Sequence, residues 1–231
     1  MQTYKLLAVL LDYPGGEIVG DLRSAVAGQG GALGLVRSVD TDKVFTGTEH
    51  NSIAGFIDWM LAQDQTELEA QYVKTFDLTP EHSLHLTHHV FGDDKNRGPA
   101  LIDLSEFYKS YGLQHDEHEI PDYLPMMLEF VALLEETEAR VFLTDAVKVF
   151  NVLATNLEKA ESPYAVLVRV IENHSSLARL AAGGEDDDFS EQLLFRGLSL
   201  HRADRVRDRV LDPLRQRAVH LEDRFGAAAV E

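Results

Sequence analysis

Three histidines, His82, His85 and His89, recur at three- and four-residue intervals. On a helix they fall on one stripe about 60° wide. His85 and His89, four apart, have the spacing to bind one metal ion. The usual supporting residues are missing. No histidine in the chain has a glutamate three residues before it, so the Glu-x-x-His signature of di-iron bundles is absent. There is no His-Glu-x-x-His either. A histidine-based metal-binding protein or hydrolase using His82, His85 and His89 is therefore the alternative reading. The preferred one is polar-face histidines turned to solvent or a groove, because Leu84, Leu86, Val90 and Phe91 occupy the other sides. His115 and His118 sit in His-Asp-Glu-His-Glu, which reads as loop. Ser83 lacks a Gly-x-Ser-x-Gly elbow, and its neighbour His82 points to a different helix face, so the pair is no dyad. Gly28, Gly30 and Gly31 have no preceding strand and no following Lys-Ser/Thr, so they read as a helix stop and not a phosphate cradle.

The elements that position these residues are helical. Residues 4–11 predict a short helix stopped by Asp12-Tyr13-Pro14-Gly15-Gly16, and 17–27 a second ended by the glycine cluster. Ile53, Phe56, Ile57, Met60 and Leu61 trace an amphipathic stripe. A helix over 67–73 leads to Phe76-Asp77 and a turn at Thr79-Pro80. The next is expected over 81–91, ending at Gly92. Leu101, Leu104, Tyr108 and Tyr111 mark a helix that stops at Gly112. Leu124, Met127, Leu128, Val131 and Leu134 mark another, with Asp122 able to cap it and Pro125 in its first turn. Helices over 144–157 and 163–180 complete the core. Strand alternation and hairpin dipeptides are nearly absent. The expected fold is all-α, a single helical domain over 1–180 without fixed-period repeats. An acidic, glycine-containing linker follows at 181–189, then an arginine-rich extension at 190–231.

Composition narrows the function classes. The 231 residues are 45% hydrophobic and 26% charged, which is enough apolar material for a sizeable core. No cysteine is present, which excludes disulfides, a thiol nucleophile and cysteine-ligated metal sites. The net charge of −18 argues against non-specific nucleic-acid binding and favours a basic peptide or basic protein surface. The charge is unevenly spread. Residues 1–189 carry 13 Lys/Arg against 32 Asp/Glu, whereas 190–225 carry 8 against 6. The alternating signs of residues 202–209 suit a solvated helix with local ion pairs, and a fold back onto the acidic body is the other option. The opening MQTYKLLAVLL is too short an apolar stretch for a targeting signal, and no stretch approaches the roughly 20 apolar residues of a membrane span. A cytoplasmic location is expected.

Two segments concentrate aromatics, prolines and charges at helix ends. One holds Tyr72, Phe76, Asp77, His82, Ser83, His89, Gly92, Arg97 and Gly98. The other is Ile120-Pro121-Asp122-Tyr123-Leu124-Pro125 with Glu129-Phe130. A cleft rim and plain turn-and-cap chemistry are both open on these residues alone.

These segments resemble the NarJ family, the assembly chaperones (delta subunits) of respiratory nitrate reductase. The residues that carry the resemblance are Tyr72 through Asp77, the run His82-Ser83-Leu84-His85-Leu86-Thr87-His88-His89-Val90-Phe91-Gly92-Asp93, Asn96-Arg97-Gly98-Pro99-Ala100-Leu101, and Ile120 through Pro125 with Leu128-Glu129-Phe130. Order and spacing agree over roughly residues 4–188. Lys95 stands where the family often has arginine, Ile120 replaces leucine, and His88 sits where Glu or Tyr is common, so no role is carried onto it. The arginine-rich segment beyond Phe189 does not look like the usual family tail.

The resemblance implies an all-helical chaperone of the broader TorD/DmsD group, with no catalytic residue and no resident cofactor. Its expected partner is the apo catalytic alpha subunit of nitrate reductase, including that subunit's basic N-terminal leader remnant. The chaperone would keep the subunit competent for molybdenum cofactor insertion before membrane assembly, with cofactor delivery proteins as further partners. His82, Ser83, His89 and Arg97 are expected on one rim of a peptide groove, and Asp122, Tyr123, Pro125 and Glu129 on the other. Tyr72 and Tyr108 are candidates for its floor. Asp122 and Glu129 are the expected partners of leader arginines. Asp122 also has a reading as a helix cap, and Arg97 one as a partner of Asp77.

Overall fold

The computed structural model describes residues 1–113 and 119–175. Its first helix, α1 (Gln2–Leu11), buries Leu6, Leu7, Leu10 and Leu11 and ends at Asp12, where the backbone turns extended before Pro14. Helix α2 (Gly16–Gly28) stops where expected. Gly30 and Gly31 take positive φ values of 71° and 126°, which a side chain resists. Helix α3 (Ala32–Val39) follows. Helix α4 (Gly47–Ala62) opens with a capping box in which Thr46 and Glu49 satisfy each other's backbone amides, and it buries the stripe Ile53, Phe56, Ile57 and Met60. Asp64 caps α5 (Gln65–Tyr72) through the amides of Thr66 and Glu67.

The chain then runs through a π-helical turn (Val73–Asp77) and a 3₁₀ turn (Pro80–His82) into α6 (Leu86–Phe91), which ends at Gly92 with φ 52°. Helix α7 (Arg97–Ser110) closes at Gly112, φ 76°. The rest is α8 (Leu124–Val131), α9 (Glu136–Thr144), α10 (Val147–Lys159) and α11 (Ala165–Ser175). Helices α10 and α11 form a hairpin, α1 lies on α8, and α3 lies on α4. One hydrophobic cluster spans all these layers, from Tyr4 to Ile171. Tyr164 sits in it fully buried, its ring against Phe56, Trp59, Tyr72 and Phe76. Among the described residues the only β feature is an isolated bridge, and the fold is all-α.

Several expectations are corrected. The helix expected over 81–91 is broken, because residues 83–85 leave it to pair with another segment and only Leu86–Phe91 is α-helical. The helix expected over 144–157 is α10, which begins three residues later at Val147 and runs to Lys159, and α9 before it was not expected. Helix α3 was not expected at all. The helix over 163–180 begins at Ala165, and its last five residues lie outside the described residues, as do the linker 181–189, the extension 190–231 and the pair His115 and His118.

Candidate functional site

The two motif-bearing segments meet at the isolated bridge between His85 and Tyr123. The Leu86 amide donates to the Asp122 carbonyl at 3.1 Å, and the Leu124 amide to the Leu84 carbonyl at 2.9 Å. Chain order alone keeps these segments apart, and the helix α7 lies between them. The His85 and Tyr123 rings pack 5.4 Å apart across the bridge.

Asp122 is the centre of the junction and is 0% exposed. Its Oδ2 accepts the Thr87 amide at 3.0 Å and the Thr87 hydroxyl, while its Oδ1 meets His85 Nδ1 at 3.1 Å. The Arg97 guanidinium stands 3.8 Å from Oδ2, and Arg97 Nε donates to Thr87 Oγ1 at 3.0 Å. Burial pushes the Asp122 carboxyl up, but the hydrogen bonds from His85 and Thr87 and the charge of His85 outweigh it. The net result lies below the ordinary carboxylate value. Asp122 does not cap its own helix: Tyr123 holds that position and α8 has no side-chain cap. Its carboxylate instead caps α6, through Thr87. Arg97 takes Asp122, not Asp77, as its acidic partner.

A second network lies on the other side of Tyr123. Its hydroxyl meets Asp12 Oδ1 at 3.1 Å and the Tyr72 hydroxyl at 2.9 Å, and Tyr72 Oη also donates to the Leu11 carbonyl at 2.9 Å. Two hydroxyl protons serve three contacts, so one contact is unfilled at any instant. Burial raises both phenols far above their ordinary value, and for Tyr123 the Tyr72 and Asp12 neighbours add to it. Tyr108 Oη donates to the Pro121 carbonyl at 2.9 Å from full burial.

The histidines are held individually. His82 is 8% exposed, and its Nδ1–H donates to the Thr75 carbonyl at 3.1 Å. His89 donates through Nε2 to the Ser83 carbonyl at 2.7 Å. Burial lowers the His89 pKa, more than the Ser83 carbonyl raises it. The Ser83 hydroxyl accepts the His85 amide at 3.2 Å, so the geometry holds a turn and sets up no nucleophile. The single helical stripe behind the metal reading does not exist, since His82 is in the 3₁₀ turn, His85 on the bridge and His89 in α6. Among the described residues no group of three or more His, Asp or Glu side chains is arranged to hold a metal ion.

Of the proposed rim, Ser83, His89, Arg97, Tyr123 and Glu129 are half-buried, whereas His82, Asp122 and Pro125 are buried. Tyr72 and Tyr108 are buried beneath them. Apart from Glu129, which lies further along α8, these residues fall around the junction and divide into a clamped interior and a partly exposed edge. Sequence reasoning missed Asp12 and Thr87. No local pattern flags either one, because each acts through a residue distant in the chain.

No helix among the described residues is long and apolar enough to cross a membrane. Comparison with known proteins matches residues 46–168 to the family described as nitrate reductase delta subunit. The chain is 33% identical over 133 residues to the nitrate reductase molybdenum cofactor assembly chaperone NarJ of Escherichia coli K12, covering 58% of this chain and 56% of that protein. It thus spans little more than half the length of that relative. It is 30% identical over 169 residues to the probable NarJ of Bacillus subtilis 168, covering 73% of this chain and 85% of that one. A third relative, the probable chaperone NarW of E. coli K12, is 29% identical over 167 residues, covering 72% of this chain and 65% of that protein. With more than half of its length matched, and with the matched span containing both halves of the bridge junction, the chain belongs to the nitrate reductase delta subunit family.

Proposed function

We propose that this protein is an assembly chaperone for the catalytic alpha subunit of a respiratory nitrate reductase. It binds the apo subunit, including its basic N-terminal segment, and keeps it open for molybdenum cofactor insertion before membrane assembly. The cofactor belongs to the client, and the chaperone's own residues bind and hold. The observation that carries this reading is the bridge junction, where the family's two motif segments are locked together by a buried carboxylate. Such a lock fixes the backbone of the partly exposed edge around Ser83 and Tyr123. A basic segment that becomes helical on binding would lay its apolar side on that edge, steered by the acidic body. Asp122 then acts from beneath, by holding Arg97 and the start of α6, and Glu129, half-buried on α8, is the carboxylate that would meet an arginine.

Calorimetric titration with a peptide of the alpha-subunit N-terminus tests this, at two salt concentrations. One-to-one binding that weakens with salt and with Glu129→Gln is the expected result. No binding at either salt concentration would overturn the peptide part of the reading.

A further inference from the structure

Tyr13 stands 42% exposed just after α1, with its ring packed edge-on against the buried Tyr72 at 5.6 Å. It continues the partly exposed edge of the candidate site. The His85 ring lies 5.4 Å from the Tyr123 ring, the Tyr123 hydroxyl donates to Asp12 Oδ1, and the same oxygen accepts the Tyr13 amide at 2.8 Å. His85, Tyr123 and Asp12 are each half-buried, so the path from the bridge to Tyr13 stays accessible along its length.

Carboxylates stand at both ends of Tyr13. Asp12 holds its backbone amide through Oδ1, and Asp12 Oδ2 takes no hydrogen bond from a described residue. Glu69 hydrogen-bonds the phenol end. Partial desolvation first, then the charge and hydrogen bond of Glu69 and the charge of Asp77, raise the Tyr13 phenol above its ordinary value. Gln65 fixes this arrangement, donating to Glu69 Oε1 at 2.6 Å and to the Pro14 carbonyl at 2.7 Å. Asp122 has Arg97 and His85 for its charge, whereas Asp12, Glu69 and Asp77 form no ion pair with a described residue.

The phenols beneath Tyr13 are short of hydrogen-bond partners at two points. Tyr123 gives its proton to Asp12 and Tyr72 gives its own to the Leu11 carbonyl, so the 2.9 Å contact between the two hydroxyls is left without one. Tyr164, whose ring packs on Tyr72, keeps a fully buried hydroxyl with no partner among the described residues, within electrostatic reach of the Tyr72 phenol. A donor arriving at Asp12 Oδ2 would let Tyr123 turn its proton to Tyr72. A guanidinium is such a donor, because it only donates, is always charged and stacks its flat face on an aromatic ring.

We propose that Tyr13, Asp12 and Glu69 form a receptor for one arginine side chain of the client segment, with the guanidinium on the Tyr13 ring and donating to Asp12 Oδ2. This rests on the client reading above and adds to it an anchor separate from Glu129. Charge complementarity selects the occupant. An exposed ring between carboxylates that have no cation among the described residues attracts a positive group, and a planar one uses the ring and the carboxylate together.

Carbon-13 labelling of the tyrosine rings reads this site in the full-length protein, the Tyr13 signal being identified by its loss in Tyr13→Phe. Acetyl-arginine N-methylamide should shift that signal saturably, and the uncharged citrulline analogue should not. Asp12→Asn keeps an acceptor for the Tyr13 amide and the Tyr123 hydroxyl and removes the charge, so it should abolish the shift. The alpha-subunit N-terminal peptide should bind Asp12→Asn/Glu69→Gln about tenfold more weakly than the parent, the worth of one charge-assisted contact. Asp103→Asn, at an exposed acid of α7, should leave that affinity unchanged. No saturable Tyr13 shift, an equal shift with the citrulline analogue, or a peptide that binds the parent and the double variant alike overturns the proposal. An equal shift with acetyl-lysine N-methylamide means a site for any cation, which also overturns it. If the arginine compound binds at Tyr13 while the peptide binds neither protein, the arginine receptor stands and the client reading fails.

Discussion

Asp122 caps a helix that starts 36 residues earlier in the chain, its carboxylate accepting the Thr87 amide at 3.0 Å together with the Thr87 hydroxyl. The same side chain faces Arg97 and His85. One buried carboxylate thus joins the bridge, the start of α6 and the start of α7. The candidate site is built around that join.

Asp122→Ala should therefore cost about 3–5 kcal/mol of unfolding free energy, since it removes one partner of a buried charge cluster and leaves Arg97 and the Thr87 amide uncompensated. Asp122→Asn should cost less, because an amide oxygen still accepts from Thr87. Urea unfolding with a shared m-value measures both. An alanine variant with an unchanged midpoint would contradict the central role given to this carboxylate.

Stability should fall in two steps on acidification. The His89 pKa is lowered from 6.5, chiefly by burial, so the folded state resists its protonation. Its contribution is present above pH 6.5 and is lost as pH falls through the folded value. The Asp122 carboxyl is also lowered, from 3.8, and its contribution is lost only below that pH. His89→Gln should flatten the stability profile just below pH 6.5 relative to the parent protein. Asp122→Asn should leave that window alone and flatten the profile below pH 4. Chemical denaturation across pH 3.5–7.5 compares the slopes. Parallel slopes in all three proteins would remove these groups from the account.

Glu49 closes the capping box of α4 and also reaches α11, meeting His174 Nε2 at 3.1 Å and accepting from Asn173 at 3.2 Å. Thr46→Ala should cost about 1 kcal/mol, the usual worth of a cap. Glu49→Ala should cost clearly more, because it also unties α11. Equal losses in thermal or urea unfolding would mean that the contacts to α11 contribute nothing.

The helix ends written in local chemistry were legible. The glycines at 28–31, 92 and 112 and the apolar stripe of α4 mark real boundaries and a real buried face. The junction was not legible, for a physical reason. Residues 83–85 have good helical periodicity, but the Leu86 and Leu124 amides find carbonyls in a distant segment, and those bonds outweigh local preference. The same reasoning explains Asp122. A carboxylate just before an apolar run looks like a cap for that run, and only tertiary structure sends it to Thr87. Asp12 was unmarked because its partner, Tyr123, is 111 residues away. The motif segments themselves were visible in the sequence, whereas their division into a clamped interior and a partly exposed edge was not.

Gly34 gives a test in which local preference and packing predict opposite signs. It lies inside α3, where replacing glycine by alanine ordinarily stabilises a helix by about 1 kcal/mol. A Cβ at this position would stand 2.0 Å from the Gln29 carbonyl oxygen, which is backbone in the turn between α2 and α3 and has no flexible end to swing away. The turn is already fixed by the positive φ values of Gly30 and Gly31, so relief requires α3 to move off α2. Gly34→Ala should therefore destabilise, by about 1–3 kcal/mol as overpacking does. Gly55→Ala is the control: it lies in the interior of α4 with nothing within 4 Å of the added carbon, and should gain stability. Urea midpoints that move in opposite directions for the two variants are the expected outcome. A gain at both positions would mean that α3 does not approach Gln29 as closely as this fold requires.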